Sequence, residues 1–159
     1  MFHPNRATLY LLNSILGGLG MNSRLNNSLR EKNGLVYTVE STHSLYSDSG
    51  LFSVYFGCDP KNTDKCLNLI HKEFQKLKQT TLTAQQLSKA KKQLKGELGI
   101  ACENRENVAL DMAKSFLHFG KYINLSEISA QINSVTEEQI QSLANQLLKI
   151  DDFSSLRYS

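Results

Sequence analysis

The sequence predicts an α+β fold: a mainly antiparallel sheet with several helices packed on one face. Three observations predict it. Two β-rich runs, 35–41 and 51–57, lie side by side in the first third of the chain, separated by turn residues. Four helix-opening signals follow them, at Asp59-Pro60, Thr83-x-x-Gln86, Asn124-x-x-Glu127 and Thr136-x-x-Gln139. At 159 residues the chain is long enough to bury roughly two-thirds of its unfolded surface without disulfide or metal staples. Strands grouped apart from helices are the mark of α+β rather than alternating α/β architecture.

The elements read as follows. After Pro4, Leu9, Leu12, Ile15 and Leu16 form a helical stripe that Gly17 and Gly18 end. A short helix is expected over 21–32, with Met21, Leu25 and Leu29 at successive fours and Gly34 just past its end as a left-handed cap. The hairpin follows, its 46–50 connection rich in Ser, Asp and Gly. Asp59 caps a helix to about Gln79, with Pro60 at its first position and Cys66, Leu67, Ile70, Phe74 and Leu77 inward. The Thr83 capping box opens a helix carrying Leu87, Ala90, Leu94, Leu98 and Ala101, interrupted by Gly96 and Gly99. A helix over 104–119 aligns Val108, Met112, Phe116 and Phe119, and two more helices carry Ile128 with Ile132 and Ile140 with Leu143 and Leu147. Residues 152–159 read as a last strand, through Phe153 and Leu156. Three strands are few for so many helices, so a further partner strand is expected.

Composition excludes several classes. A net charge of +3 is too mild for a nucleic-acid or anionic-membrane surface, and the basic run 89–95 (KAKKQLK) is the solvated face of a helix without aromatics. Cys58, Cys66 and Cys102 show no CxxC spacing and read as free thiols. No apolar run is long enough for a membrane span, and the N-terminus lacks a signal-peptide pattern. His3, His43, His71 and His118 lack metal-ligand spacing: neither HExxH nor HxxEH occurs, and GxSxG is absent. Gly17-Gly18-Leu19-Gly20 follows a helix pattern rather than a strand, which makes it a helix stop and tight turn rather than a phosphate loop.

Arg30 and Tyr37 remain. In the bland reading Arg30 complements a helix C-terminus and Tyr37 packs half-buried at a strand start. Yet a helix–Gly–strand corner can aim both into one cleft. There a guanidinium fork and a phenol would donate to peptide carbonyls or to an oxyanion.

The segments Leu12-Leu-Asn-Ser-Ile-Leu-Gly-Gly18, Met21-Asn-Ser-Arg-Leu25 and Leu29-Arg-Glu-Lys-Asn-Gly-Leu-Val-Tyr37 resemble the C-terminal half-domain of the pitrilysin/insulinase family of zinc peptidases. Asp48-Ser-Gly-Leu-Phe52 and Ala90-Lys-Lys-Gln-Leu-Lys-Gly96 continue the similarity, with bacterial members the most similar. The resemblance implies a half-domain of the mitochondrial-processing-peptidase type over residues 1–159. Its partner would be an N-terminal half-domain or subunit that carries HxxEH and the zinc, so no cofactor is expected in this chain. Arg30 and Tyr37, seven residues apart, match the family's Arg/Tyr pair, which holds a peptide substrate near that zinc.

Without HxxEH the chain alone is expected to be inactive. The family half-domain opens with a strand, whereas Met1 here stands almost directly before a helix. A truncated piece lacking its first strand is therefore expected, with a sheet edge that invites homodimerisation. Neither nucleic acid nor a membrane span enters the expectation, and a bacterial cytoplasmic or periplasmic setting fits equally. The alternative is a non-catalytic assembly subunit of the same fold, of the sort found in respiratory complexes.

Overall fold

The computed structural model describes residues 5–18, 20–46 and 48–158. The Pro4 start signal, His3, Leu19, Ser47 and Ser159 fall outside them, as does the side chain of Phe119. Two strands and six α-helices are described. They are α1 (Arg6–Gly17), β1 (Val36–Leu45), β2 (Gly50–Cys58), α2 (Thr63–Gln79), α3 (Ala84–Ala101), α4 (Arg105–Phe119), α5 (Leu125–Ser134) and α6 (Glu137–Leu147). A π-wound segment (Asn26–Glu31) precedes β1, and single 3-10 turns occur at Pro60–Asn62 and Ile150–Asp152.

Helix α1 is the hub. It packs against β1 and against α3, α5 and α6, which explains why its burial is wider than one stripe. Leu11, Leu12 and Leu16 are fully buried, with Thr8 and Ser14 also inside. Leu9 and Ile15, expected on the buried stripe, are only half-buried. The core continues through Leu25 and Leu29, through Cys66, Ile70, Phe74 and Leu77 of α2, and through Ile132, Ile140, Ala144 and Leu148.

β1 and β2 form an antiparallel hairpin with Val39 opposite Phe56, Ser41 opposite Val54 and His43 opposite Phe52. These pairs line the face that meets α1: the Ser41 hydroxyl donates to the Asn13 carbonyl (3.3 Å), and Tyr10 packs edge-on to His43 at 4.6 Å. On the other face Thr42 and Ser53 share a hydrogen bond of 2.8 Å beside exposed Leu51 and Tyr55. Helices thus cover one face of the hairpin. Gly17 permits the close approach of α1, since a Cβ there would stand 2.7 Å from the Ser41 backbone nitrogen.

The caps form as the sequence predicts. Thr83 and Thr136 each close a complete capping box, and the Asn124 side chain accepts from the Glu127 N–H. Asp59 caps the 3-10 turn Pro60–Asn62, which feeds α2. α3 and α4 are separate helices, because Asn104 turns extended and its side chain accepts from the N–H groups of Glu106 and Asn107.

One expected element is absent among the described residues. Residues 153–158 form no strand; the chain leaves the 3-10 turn at Ile150–Asp152 and runs irregularly along the surface. A strand exists only through a ladder, and this segment has no paired neighbour. Phe153 anchors it against Phe74 (5.4 Å) and Phe52 (6.5 Å), whereas Leu156 and Tyr158 are exposed. The outer salt bridge Arg157–Asp64 (3.1 Å) joins two exposed side chains and adds little.

Candidate functional site at the helix–strand corner

The short helix expected over 21–32 differs in both extent and winding. Met21 is 71% exposed, α-helical geometry begins only at Arg24, and Asn26–Glu31 is π-wound. Side-chain amides account for part of this. Asn26, Asn27 and Asn33 each donate to a carbonyl five residues back, those of Met21, Asn22 (2.8 Å) and Ser28 (2.6 Å). These bonds span the wider turn that the backbone itself adopts, as in Lys32 N–H to the Asn27 carbonyl (3.0 Å). Gly34 then takes φ +59° and donates to the Arg30 carbonyl (2.9 Å), closing the left-handed cap the sequence predicts.

Arg30 is therefore carried on the last turn of a π-wound segment, with its side chain exposed. Tyr37 stands on a second irregularity. In the strand register Val36 opposes Cys58 and Thr38 opposes Gly57, so Tyr37 is the extra residue of a β-bulge. The bulge resets the alternation: Val36 is buried before it and Ser41 is buried after it, while Tyr37 is 80% exposed. The half-buried, hydroxyl-bonded tyrosine of the bland reading is not what forms. Among the described residues neither the Arg30 nor the Tyr37 side chain is held by a hydrogen bond or ion pair. Two distorted elements thus present two unengaged donors from either side of one glycine turn.

Residues that sequence reasoning passed over hold this corner in place. Arg24 is partly buried; desolvation lowers its pKa, and the nearby carboxylate of Glu73 works in the opposite direction. Glu73, on α2 and only 6% exposed, accepts from Lys76 at 2.6 Å. The one available signal was Arg24 lying beside Leu25 at the start of a buried turn. Farther along, Asn22 donates to Gln93 of α3 (2.9 Å), and a Cβ on Gly20 would collide with the Gln93 amide. The glycines of 17–20 serve turns and close packing.

Two open surface clefts contain neither Arg30 nor Tyr37. One, of about 450 Å³, lies between α3 and the α5–α6 junction; the other, of about 520 Å³, runs along α2. Among the described residues the corner is an exposed ledge without an opposing wall. No group of three or more His, Cys, Asp or Glu side chains able to hold a metal occurs among the described residues. No described helix is long and apolar enough to cross a membrane. A zinc ion does not fit the residues of this ledge.

The fold is thus an α+β domain with two exposed donors on an open ledge and no metal-binding cluster among its described residues. Residues 2–94 match the family described as the peptidase M16 inactive domain, and the chain belongs to that family. It is 35% identical over 149 residues to a Bacillus subtilis (strain 168) protein named as an uncharacterized zinc protease, YmxG, covering 94% of this chain and 36% of that one. The peptidase M16 inactive domain from Pseudomonas fluorescens superimposes with a TM-score of 0.78 at 25% identity, over 94% of this chain and 35% of that one. The inactive peptidase domain of a putative zinc protease from Bordetella parapertussis gives 0.80 over 99% of this chain and 85% of that one. At 17% identity it supports the fold alone. The chain spans about a third of the length of the curated relatives it matches.

Proposed function

We propose that this chain, over residues 1–159, is the non-zinc-binding half-domain of a zinc metalloendopeptidase, and that Arg30 and Tyr37 anchor the substrate backbone. The observation that carries the reading is the pairing of a π-wound turn under Arg30 with a bulge under Tyr37, both side chains exposed and unengaged. Such irregularities re-aim side chains at the cost of regular pairing, and they recur beside active sites.

The chemistry follows from the donors. The Arg30 guanidinium presents a rigid planar fork suited to carbonyl oxygens of an extended peptide. The Tyr37 phenol supplies one further O–H, directed at a carbonyl whose oxygen gains charge as a tetrahedral centre forms. The zinc, with its ligands, belongs to an N-terminal half-domain or subunit, which closes over the ledge and supplies the missing wall.

Joined to that zinc-binding half and assayed on a peptide, Arg30→Ala and Tyr37→Phe are each expected to lower kcat/KM by roughly 10²-fold, the scale of one oxyanion donor. Unchanged kinetics in both variants overturns the anchoring role; a neighbouring N-terminal segment without an intact HxxEH would favour the assembly-subunit reading instead. We further infer that the hairpin edge, unpaired among the described residues, is covered in the longer protein. The isolated chain should then pair edge to edge as a homodimer, and a concentration-independent monomer in sedimentation would refute this.

A further inference from the structure

Helix α4 is the element that the rest of the domain leaves almost untouched. It is 15 residues long, and a helix of that length has little stability of its own in water. Among its described side chains only Val108 and Ser115 are half-buried, and they mark the side turned toward the body of the domain. Successive residues of an α-helix are about 100° apart. Leu110, Ala113 and Leu117 therefore fall together on the opposite side, with Glu106 in line one turn before Leu110, and all four are exposed. The charge along this arm is graded. Glu106 and Asp111 come first, whereas Lys114 lies on the later turns and Lys121 just past the end. Arg105 departs from the grading but sits roughly a quarter turn off the stripe. Lys121 follows the left-handed Gly120 cap, and its carbonyl accepts from the Ser115 hydroxyl at 2.9 Å, which ties it to the last turn.

We propose that the outward stripe of α4 pairs antiparallel with the same stripe of a second copy of this chain. About a twofold axis beside Ala113, Leu110 meets Leu117 of the second copy and Leu117 meets its Leu110, so one pattern serves both sides. The small Ala113 at the crossing lets the two helices approach closely. Glu106 then faces Lys121 of the second copy, and Asp111 lies near its Lys114. A parallel arrangement would instead set Glu106 against Glu106. Antiparallel helices also align their dipoles favourably. Lys121 is available for this pairing: its contact with Glu127 is 3.9 Å long and joins two exposed side chains, a pair worth little. Two leucines from each copy bury far less than the roughly 1,600 Å² of a standard interface. Pairing is therefore weak and populated at high protein concentration, and the dilute chain is monomeric at this face. Neither the peptidase reading nor the hairpin edge enters, since both involve other elements.

The test follows self-association of the whole chain by sedimentation equilibrium over a wide range of concentration. Leu110→Glu and Leu117→Lys change exposed positions, and unchanged circular dichroism checks that each variant folds. Each is expected to weaken association by roughly tenfold or more, since each sets a charge against a leucine. The variant carrying both is expected to recover it, because the new carboxylate and ammonium face each other across the two copies only in the antiparallel register. A parent chain that stays monomeric at the highest attainable concentration overturns the proposal. So does association that is unchanged in the single variants, the result that pairing through the hairpin edge would give. Single variants that dissociate with no recovery in the double variant overturn the antiparallel register. For a direct check, isotope-labelled and unlabelled chains are mixed and coupled with a carbodiimide. A Glu106–Lys121 linked peptide of mixed label is expected, and its absence from an associating sample refutes the pairing.

Discussion

At Gly34 the strain of a side chain can be separated from any clash. Its φ of +59° is a conformation that L-residues adopt at a cost, yet a Cβ would meet nothing within 4 Å. Gly34→Ala should thus destabilise by about 1 kcal/mol through backbone strain alone, with Gly34→Asn costing less, as measured by urea titration. Equal stability of the three proteins would show that the left-handed cap is not held in solution. His43 offers a pH prediction. Burial, then the charge of Arg6, lowers its pKa below the ordinary imidazole value, and its buried Nδ1 finds no hydrogen-bond partner among the described residues. The unfolded chain therefore binds a proton that the fold resists. That stability is present above about pH 6.5 and is lost as pH falls toward the folded pKa. His43→Phe should flatten stability against pH below about 6.5, the ordinary imidazole value; an unaltered slope would contradict it. Arg30 and Tyr37 were legible because residue type and spacing survive in a one-dimensional string. The burial of Arg24 beside Glu73 was not, since it depends on α2 packing forty-nine positions away.

Among the elements, caps were legible and irregularities were not. A capping box is written in four consecutive residues, and Thr83 and Thr136 close theirs as spelled. The π-wound turn depends on amides of Asn26, Asn27 and Asn33 reaching five residues back, a spacing that no simple helical periodicity advertises. The Tyr37 bulge is a property of two strands in register, and the absent strand at 153–158 is the same lesson reversed: β-propensity without a neighbour yields no ladder. Replacing Asn27 and Asn33 by Ala removes two of the three amide bonds and should relax the turn toward α-winding. Amide hydrogen exchange over residues 30–34 should then rise with Arg30 itself intact, and unchanged exchange there would show that the backbone holds the π-wound turn without these amides. Helix α3 tests a different point. Gly96 is exposed and a Cβ there would touch nothing, so close packing does not account for it. Gly96→Ala should stabilise by about 0.5–1 kcal/mol in chemical denaturation, and a loss of stability would reveal a contact that the fold does not display.

For the whole molecule, the contrast between its two ends is informative. Helix α1 is enclosed on several sides, whereas the end of α3 and much of α4 among the described residues project apolar side chains into solvent. Leu117 is 83% exposed, Ile100 70%, Leu110 58% and Phe116 57%. Single exposed apolar residues are ordinary, but a run of them along one arm is a sticky surface. Val108 and Ser115 alone of α4's described side chains are half-buried, and Ser115 holds the following turn by accepting from the Ile123 N–H (3.1 Å) while donating to the Lys121 carbonyl (2.9 Å). That arrangement fixes α4 by a few bonds and leaves its outer side energetically idle in the isolated chain. Phe116→Glu together with Leu117→Lys should therefore leave the unfolding free energy within about 0.5 kcal/mol of the parent, the range for surface substitutions. The same pair should reduce binding of a hydrophobic dye and raise the concentration at which the protein stays dispersed. If it instead lowered stability by several kcal/mol, α4 would have to pack on the body of the domain through these residues, and its exposed placement would be refuted.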